Sequence, residues 1–175
     1  NAAILITDME IQSAQEIVPD IRLGLQEGPP SLVLLARGLG DDAINLILAN
    51  QKPGQFQIMS AKTPGSTIDQ VIDNMRDLAV MTGGRPVVTA AGDSLETVTR
   101  EHLGHARKAW ADQDWFGIIG GQGSARQLRA HIAELRAAHK SATLKGGVDS
   151  PIRQDLQKRL GRLMVQRARW ARGMF

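Results

Sequence analysis

Ser31-Leu32-Val33-Leu34-Leu35-Ala36-Arg37-Gly38-Leu39-Gly40-Asp41-Asp42-Ala43-Ile44-Asn45-Leu46-Ile47-Leu48-Ala49-Asn50-Gln51-Lys52 is the stretch whose reading decides the fold. After Ser31 come five apolar residues with no polar alternation, which predicts a strand buried on both faces. Asp41 or Gly40 caps a helix that runs to about Lys52, and Pro53-Gly54 closes it. A buried strand feeding a helix is the repeating unit of an α/β fold.

Working outward, Ala3-Ile4-Leu5-Ile6-Thr7 is a second buried strand. A helical stretch from about Ser13 to Glu27 follows it. Pro19 is expected to break that stretch and to open a second helix, and Gly28-Pro29-Pro30 ends it. Phe56 to Met59 reads as a third strand. Pro64-Gly65-Ser66 is a turn, and Ser66 or Thr67 starts a helix with Ile68, Val71, Ile72, Met75, Leu78 and Ala79 as a core-facing stripe. Gly83-Gly84 terminates that helix, and Pro86 to Thr89 is strand-like. His105 to Ala111 and Trp115 to Ile119, split by Asp112-Gln113-Asp114, predict a hairpin. A long helix over about Ser124 to Lys140 and a last one capped by Ser150, with Pro151 in its first turn, complete one mixed α/β domain.

Composition limits the chemistry. The 175 residues contain no Cys, which excludes disulfides, thiolate metal sites and Cys nucleophiles and fits a reducing compartment. Aromatic residues make up 3%, so the core must be built from Leu, Ile, Val, Ala and Met. No apolar run approaches the ~18 residues of a membrane span, and no signal-peptide pattern opens the chain. Asn1-Ala2 reads as a tag remnant. The net charge of +3 is unevenly spread: between Arg153 and Arg172 seven basic residues face one acid, Asp155, and the rest carries 14 basic and 17 acidic residues. The C-terminal helix is therefore basic. It is either a solvated face or a contact for nucleic acid or an acidic surface, with no aromatic stacking platform beside it.

Catalytic and ligand motifs fall short. Gly120-Gly121-Gln122-Gly123 lies between a strand and a helix, but Arg126 stands where a dinucleotide loop needs a small residue, and no Gly-Lys-Ser/Thr follows. His102 and His105 lack a third metal ligand, and His131 and His139 on the long helix read as surface or partly packed residues. No nucleophile elbow is present. Asp41-Asp42 fit a helix start better than a cation site. The reading is of a non-catalytic chain with no metal or cofactor of its own.

The helix at Asp41 to Lys52 is apolar round most of its circumference. Ile44 and Leu48 share one face, Ala43 and Ile47 lie a quarter-turn away, and Leu46 falls opposite. The earlier helix has Val18, Ile21 and Leu25 on one face and Leu23 opposite. Such helices are either buried all round or carry an apolar strip that something else covers. Pattern alone favours burial.

Several segments in order resemble the apical domain of GroEL-type, group I chaperonins over about Ile4 to Met164. They include Ile4-Leu5-Ile6-Thr7-Asp8, Glu16-Ile17-Val18-Pro19, Ala61-Lys62-Thr63-Pro64-Gly65, the run Asp77 to Gly84, Leu103 to Lys108, Ile119 to Gly123, and Gln154 to Leu163. The resemblance implies a three-layer β/β/α apical-domain fold over 3–164, with a divergent basic tail at 165–175. It implies a face between two helices that binds apolar segments of non-native polypeptides, at Val18, Ile21, Leu25, Ile44, Leu48, Ala49 and Asn50. It also implies a GroES-type co-chaperonin as second partner, a cytoplasmic homo-oligomeric ring for a longer protein, and ATP with Mg²⁺ only in an equatorial domain beyond these residues. The sequence departs from the family at Arg22, Arg37, Gly38 and Pro53 and beyond Met164, which points to a divergent member. The alternative is a repurposed scaffold that binds one protein or nucleic acid through the basic C-terminal helix.

Overall fold

The computed structural model describes residues 1–26, 31–51, 55–112, 115–146, 150–165 and 167–171. The ends read at Glu27 to Pro30 and at Lys52 to Gly54, and Gln113-Asp114 of the hairpin turn, lie outside the described residues. So do the side chains of Leu25 and of 167–171.

Six strands form one mixed sheet in the order β5-β3-β1-β6-β7-β8. β1 (Ala2–Ile6), β3 (Ser31–Ala36) and β5 (Gln57–Lys62) run parallel. β6 (Gly104–Ala111), β7 (Trp115–Gly121) and β8 (Arg167–Ala171) continue the sheet antiparallel. A two-residue ribbon, β2 (Glu10–Ile11) with β4 (Gly38–Leu39), stands apart from it.

The uninterrupted apolar strands have a direct explanation in this topology. In β1, Ile4 and Ile6 enter one core while Ala3 and Leu5 enter the other; in β3, Val33 and Leu35 part from Leu32 and Leu34 in the same way. Each strand is covered on both faces, so neither parity can be polar. On one face lie α1 (Ala14–Gln26) and α2 (Asp41–Ala49), which supply Ile17, Ile21, Ala43 and Ile47. On the other lie α3 (Ile68–Thr82), α4 (Ala125–Gly146) and α5 (Pro151–Val165), with Met75, Leu78, Leu128, Leu135, Leu156 and Leu163.

Several expectations are corrected. Pro19 lies inside a single helix and does not divide two. It sits early in the helix and costs one bond, the one its missing N–H would have made to Gln15. Ile68 and Ile72 are 69% and 50% exposed, so the inward stripe of α3 is Met75, Leu78 and Met81. Pro86 to Thr89 contributes one bridge, Thr7 to Val87, and then a 3-10 turn at Thr89–Ala91. In the basic C-terminal segment α5 stops at Val165, and Arg167–Ala171 pair along β7. Edge pairing outcompetes helix propensity there because it satisfies the backbone groups of β7.

Turn glycines answer to packing. Gly83 ends α3 in the left-handed region at φ 87° and donates its N–H to the Ala79 carbonyl. A Cβ on Gly123 would stand 2.1 Å from the Val80 carbonyl oxygen. The glycines before α4 therefore press on the carbonyl end of α3, whose partial negative charge would repel a phosphate.

Candidate polypeptide-binding face

α1 begins with a reciprocal cap. Glu16 accepts hydrogen bonds from the Gln12 and Ser13 backbone N–H groups at 3.1 and 2.7 Å, and the Ser13 hydroxyl accepts from Gln15 N–H at 3.2 Å. Gly24 lets the helix lie close on the sheet: a Cβ there would come within 3.2 Å of Leu32. α2 starts at Gly40, with Asp41 and Asp42 exposed in its first turn. Its C-terminus is closed by the Asn50 side chain, which donates to the Leu46 carbonyl at 2.9 Å. Gln51 beyond it accepts from the Ile58 N–H and donates to the Ile58 carbonyl, which stands in for a neighbouring strand on the edge of β5.

α1 and α2 pack against each other and against the sheet, and this divides the expected client-binding residues. Val18 is 37% exposed and Leu48 63%. Ala49 is exposed and Ile44 half-buried. These four stand on the outer side of the pair. Ile21 points inward and is buried with Ile17 and Ala43. Asn50 is committed to its cap. Leu25 lies in α1, with its side chain outside the described residues. Leu23 and Leu46, which the pattern placed opposite, pack against the inner core. At the rim Arg22 is exposed, and Arg37 lies 3.7 Å from Glu10 across the β2–β4 ribbon.

One residue under this face escaped the motif search. Asp20 is 1% exposed, and neither carboxylate oxygen has a hydrogen-bond partner among the described residues. Burial pushes its pKa up to about 7. Ile17, Asp20, Ile21 and Gly24 follow the i, i+3, i+4, i+7 spacing, so the sequence placed this acid in the buried stripe.

The opposite face treats charge differently. Asp77 on α3 accepts from Arg159 Nε and Nη2 at 2.9 and 2.8 Å and lies 2.7 Å from His131 Nε2. Arg159 Nη1 also meets Asp73 at 2.6 Å, and Arg162 donates to Asn74 at 2.9 Å. Burial raises the Asp77 pKa, but the Arg159 and His131 hydrogen bonds and charges outweigh it and hold the carboxyl below its usual value. His131 is thus a buried hydrogen-bonding neighbour of Asp77 and not a surface residue. His102 is buried as well, its Nδ1 accepting from Thr99 N–H at 3.0 Å. Among the described residues no three His, Asp or Glu side chains could share a metal ion, and no helix is long and apolar enough to cross a membrane.

No protein-family model matches the sequence. The fold does have a solved counterpart. The chaperonin gp146 of bacteriophage EL 2 (Pseudomonas aeruginosa), crystallised in the presence of ATP-BeFx, superimposes with a TM-score of 0.61. The match covers 95% of this chain at 12% sequence identity. The chain has a mixed α/β, chaperonin-like fold. It spans 32% of the gp146 chain, about a third of that protein's length.

Proposed function

We propose that this chain is a polypeptide-binding module of apical-domain type. It holds exposed apolar segments of non-native polypeptides on the outer side of α1 and α2. The observation that carries the reading is the exposure of Leu48, 63%, and Val18, 37%, on two packed helices whose inner sides are already filled by Ile17, Ile21, Ala43 and Ile47. A helix pair with its core complete and apolar side chains left over is suited to a client. The chaperonin-like fold supports the same reading.

Contacts at Val18, Leu48, Ala49 and the open part of Ile44 limit the affinity. A buried Leu or Val contributes ~1.5–3 kcal/mol, and ordering the client offsets much of it. One domain should therefore bind weakly and broadly, and copies in a ring would gain by avidity. Such a ring, a GroES-type partner, and ATP and Mg²⁺ in an equatorial domain belong to this proposal for a longer protein; the 175 residues themselves have a non-catalytic role in it.

The test is suppression of aggregation of a chemically unfolded protein. Val18→Glu with Leu48→Glu should abolish it while far-UV circular dichroism and the unfolding midpoint stay nearly unchanged. Undiminished suppression by that double variant would remove the face from consideration.

A further inference from the structure

The hairpin β6–β7 has a second surface that neither core uses. Ala109, Ala111, Phe116 and Ile118 turn toward α4 and α5. By the two-residue alternation of strands, Trp110, Trp115, Gly117 and Ile119 face the other way, and neither hydrophobic cluster includes them. Trp110 pairs across the ladder with Gly117, and a Cβ at Gly117 would fall 2.5 Å from its indole, so the ring lies flat on that glycine. Trp115 is 36% exposed and stands diagonally across the ladder from Trp110, about 7–8 Å away.

Cations border the rings. Lys108, paired with Ile119, shares this face and is exposed. Arg107 beside it is exposed and lies over Gly120. Neither forms an ion pair among the described residues. The next strand brings Arg167 into register with Ile119 and Arg169 with Gly117. The nearest described acid in the chain, Asp112 at the turn, is engaged by the Trp115 N–H at 2.7 Å.

We propose that this sheet face binds single-stranded nucleic acid, with bases stacked on Trp110 and Trp115 and the phosphate backbone running past Arg107 and Lys108. Partly exposed indoles beside cations that form no ion pair among the described residues are what a single strand requires: π-faces for its bases and positive charge for its backbone. A duplex offers only the second, because its bases are stacked on each other. An apolar peptide would use the rings and leave the cations without a counter-charge. The surface is distinct from the α1–α2 face, so this inference does not rest on the chaperone reading.

Fluorescence anisotropy with a labelled oligothymidylate of about 12 nucleotides, titrated with the full chain, tests it. Binding with quenching of Trp fluorescence is expected. It should weaken as salt rises from about 50 to about 200 mM, with a log–log slope of about −1.4 for the two cations. Trp110→Ala should raise Kd on the order of tenfold, and Trp110→Phe, which keeps a ring, should recover part of the loss. Arg107→Glu with Lys108→Glu leaves the indoles in place and should weaken binding and flatten the salt slope. Val18→Glu with Leu48→Glu should bind the oligonucleotide normally. Absence of binding, equal affinity for a duplex of the same length, or indifference to both the Trp110 and the Arg107/Lys108 changes would each overturn the proposal. So would a concentration-dependent dimer that Trp110→Ala dissolves, since the face would then belong to a second copy.

Discussion

The two faces of the sheet bury carboxylates in opposite ways. Under α3, α4 and α5, Asp77 has an arginine and a histidine on it, and the arginine is shared with Asp73. Under α1 and α2, Asp20 has no hydrogen-bond partner among the described residues. Hydrogen bonds from Arg159 and His131 to Asp77 tie α3, α4 and α5 together, whereas Asp20 has no hydrogen bond among the described residues to offset its burial. The layer that holds Asp20 also carries the exposed Val18 and Leu48.

The comparison breaks most readily at Arg159. Arg159→Leu leaves Asp77 and Asp73 without their cation and should cost ~3–5 kcal/mol in urea unfolding. The Asp77 pair also sets the acid limit. Its folded-state pKa is below the unfolded value of 3.8, so its contribution is full above that value and is lost as pH falls through the folded one. Unfolding midpoints measured below pH 4 should fall less steeply in Asp77→Asn than in the parent chain.

Asp20 runs the other way. Its folded-state pKa, about 7, lies above the unfolded 3.8. Between those values the folded chain keeps a proton that the unfolded chain releases, so stability declines with rising pH and levels off above about 7. The slope is at most ~1.4 kcal/mol per pH unit, roughly 4 kcal/mol over the window. Asp20→Leu should flatten this profile and stabilise the chain at pH 8. A profile unchanged by the substitution would put the two faces on an equal footing.

Smaller effects sharpen the contrast within the α1–α2 layer. Val18→Glu with Leu48→Glu removes exposed apolar surface and should change stability by less than ~1 kcal/mol while abolishing client binding. Asn50→Ala should do the reverse. It removes the cap on Leu46, costs ~0.5–1.5 kcal/mol, and leaves client binding intact, because the side chain serves the helix end.

Much of this architecture was legible in the residues. The apolar runs of β1 and β3 announced strands buried on both faces. Thr67, whose hydroxyl accepts from the Gln70 N–H, and Gly83 bound α3 where cap chemistry placed its ends. Harder to read were charges inside apolar stripes. Asp20 between Ile17 and Ile21, Asp77 beside Leu78, and Arg159 between Leu156 and Leu163 all sit at core spacing. The stripe says that each is buried but not whether a partner waits. Arg159 looked like one more charge on a basic helix; its partner Asp77 is 82 positions away. Ile68 and Ile72 erred in the opposite sense, since an apolar residue at core spacing near a helix start can overhang the sheet edge.

The sequence by itself determined the α/β class, the strand–helix order and the surplus of apolar surface on α1 and α2, because periodicity, caps and turn residues act between near neighbours. Only the tertiary structure decided which residues of that surplus face outward: Val18 and Leu48 do, and Ile21 does not. It alone paired Arg159 with Asp77, left Asp20 without a partner among the described residues, and laid β8 beside the Trp110 hairpin. Those outcomes depend on which distant elements meet across the sheet, and local periodicity carries no information about that meeting.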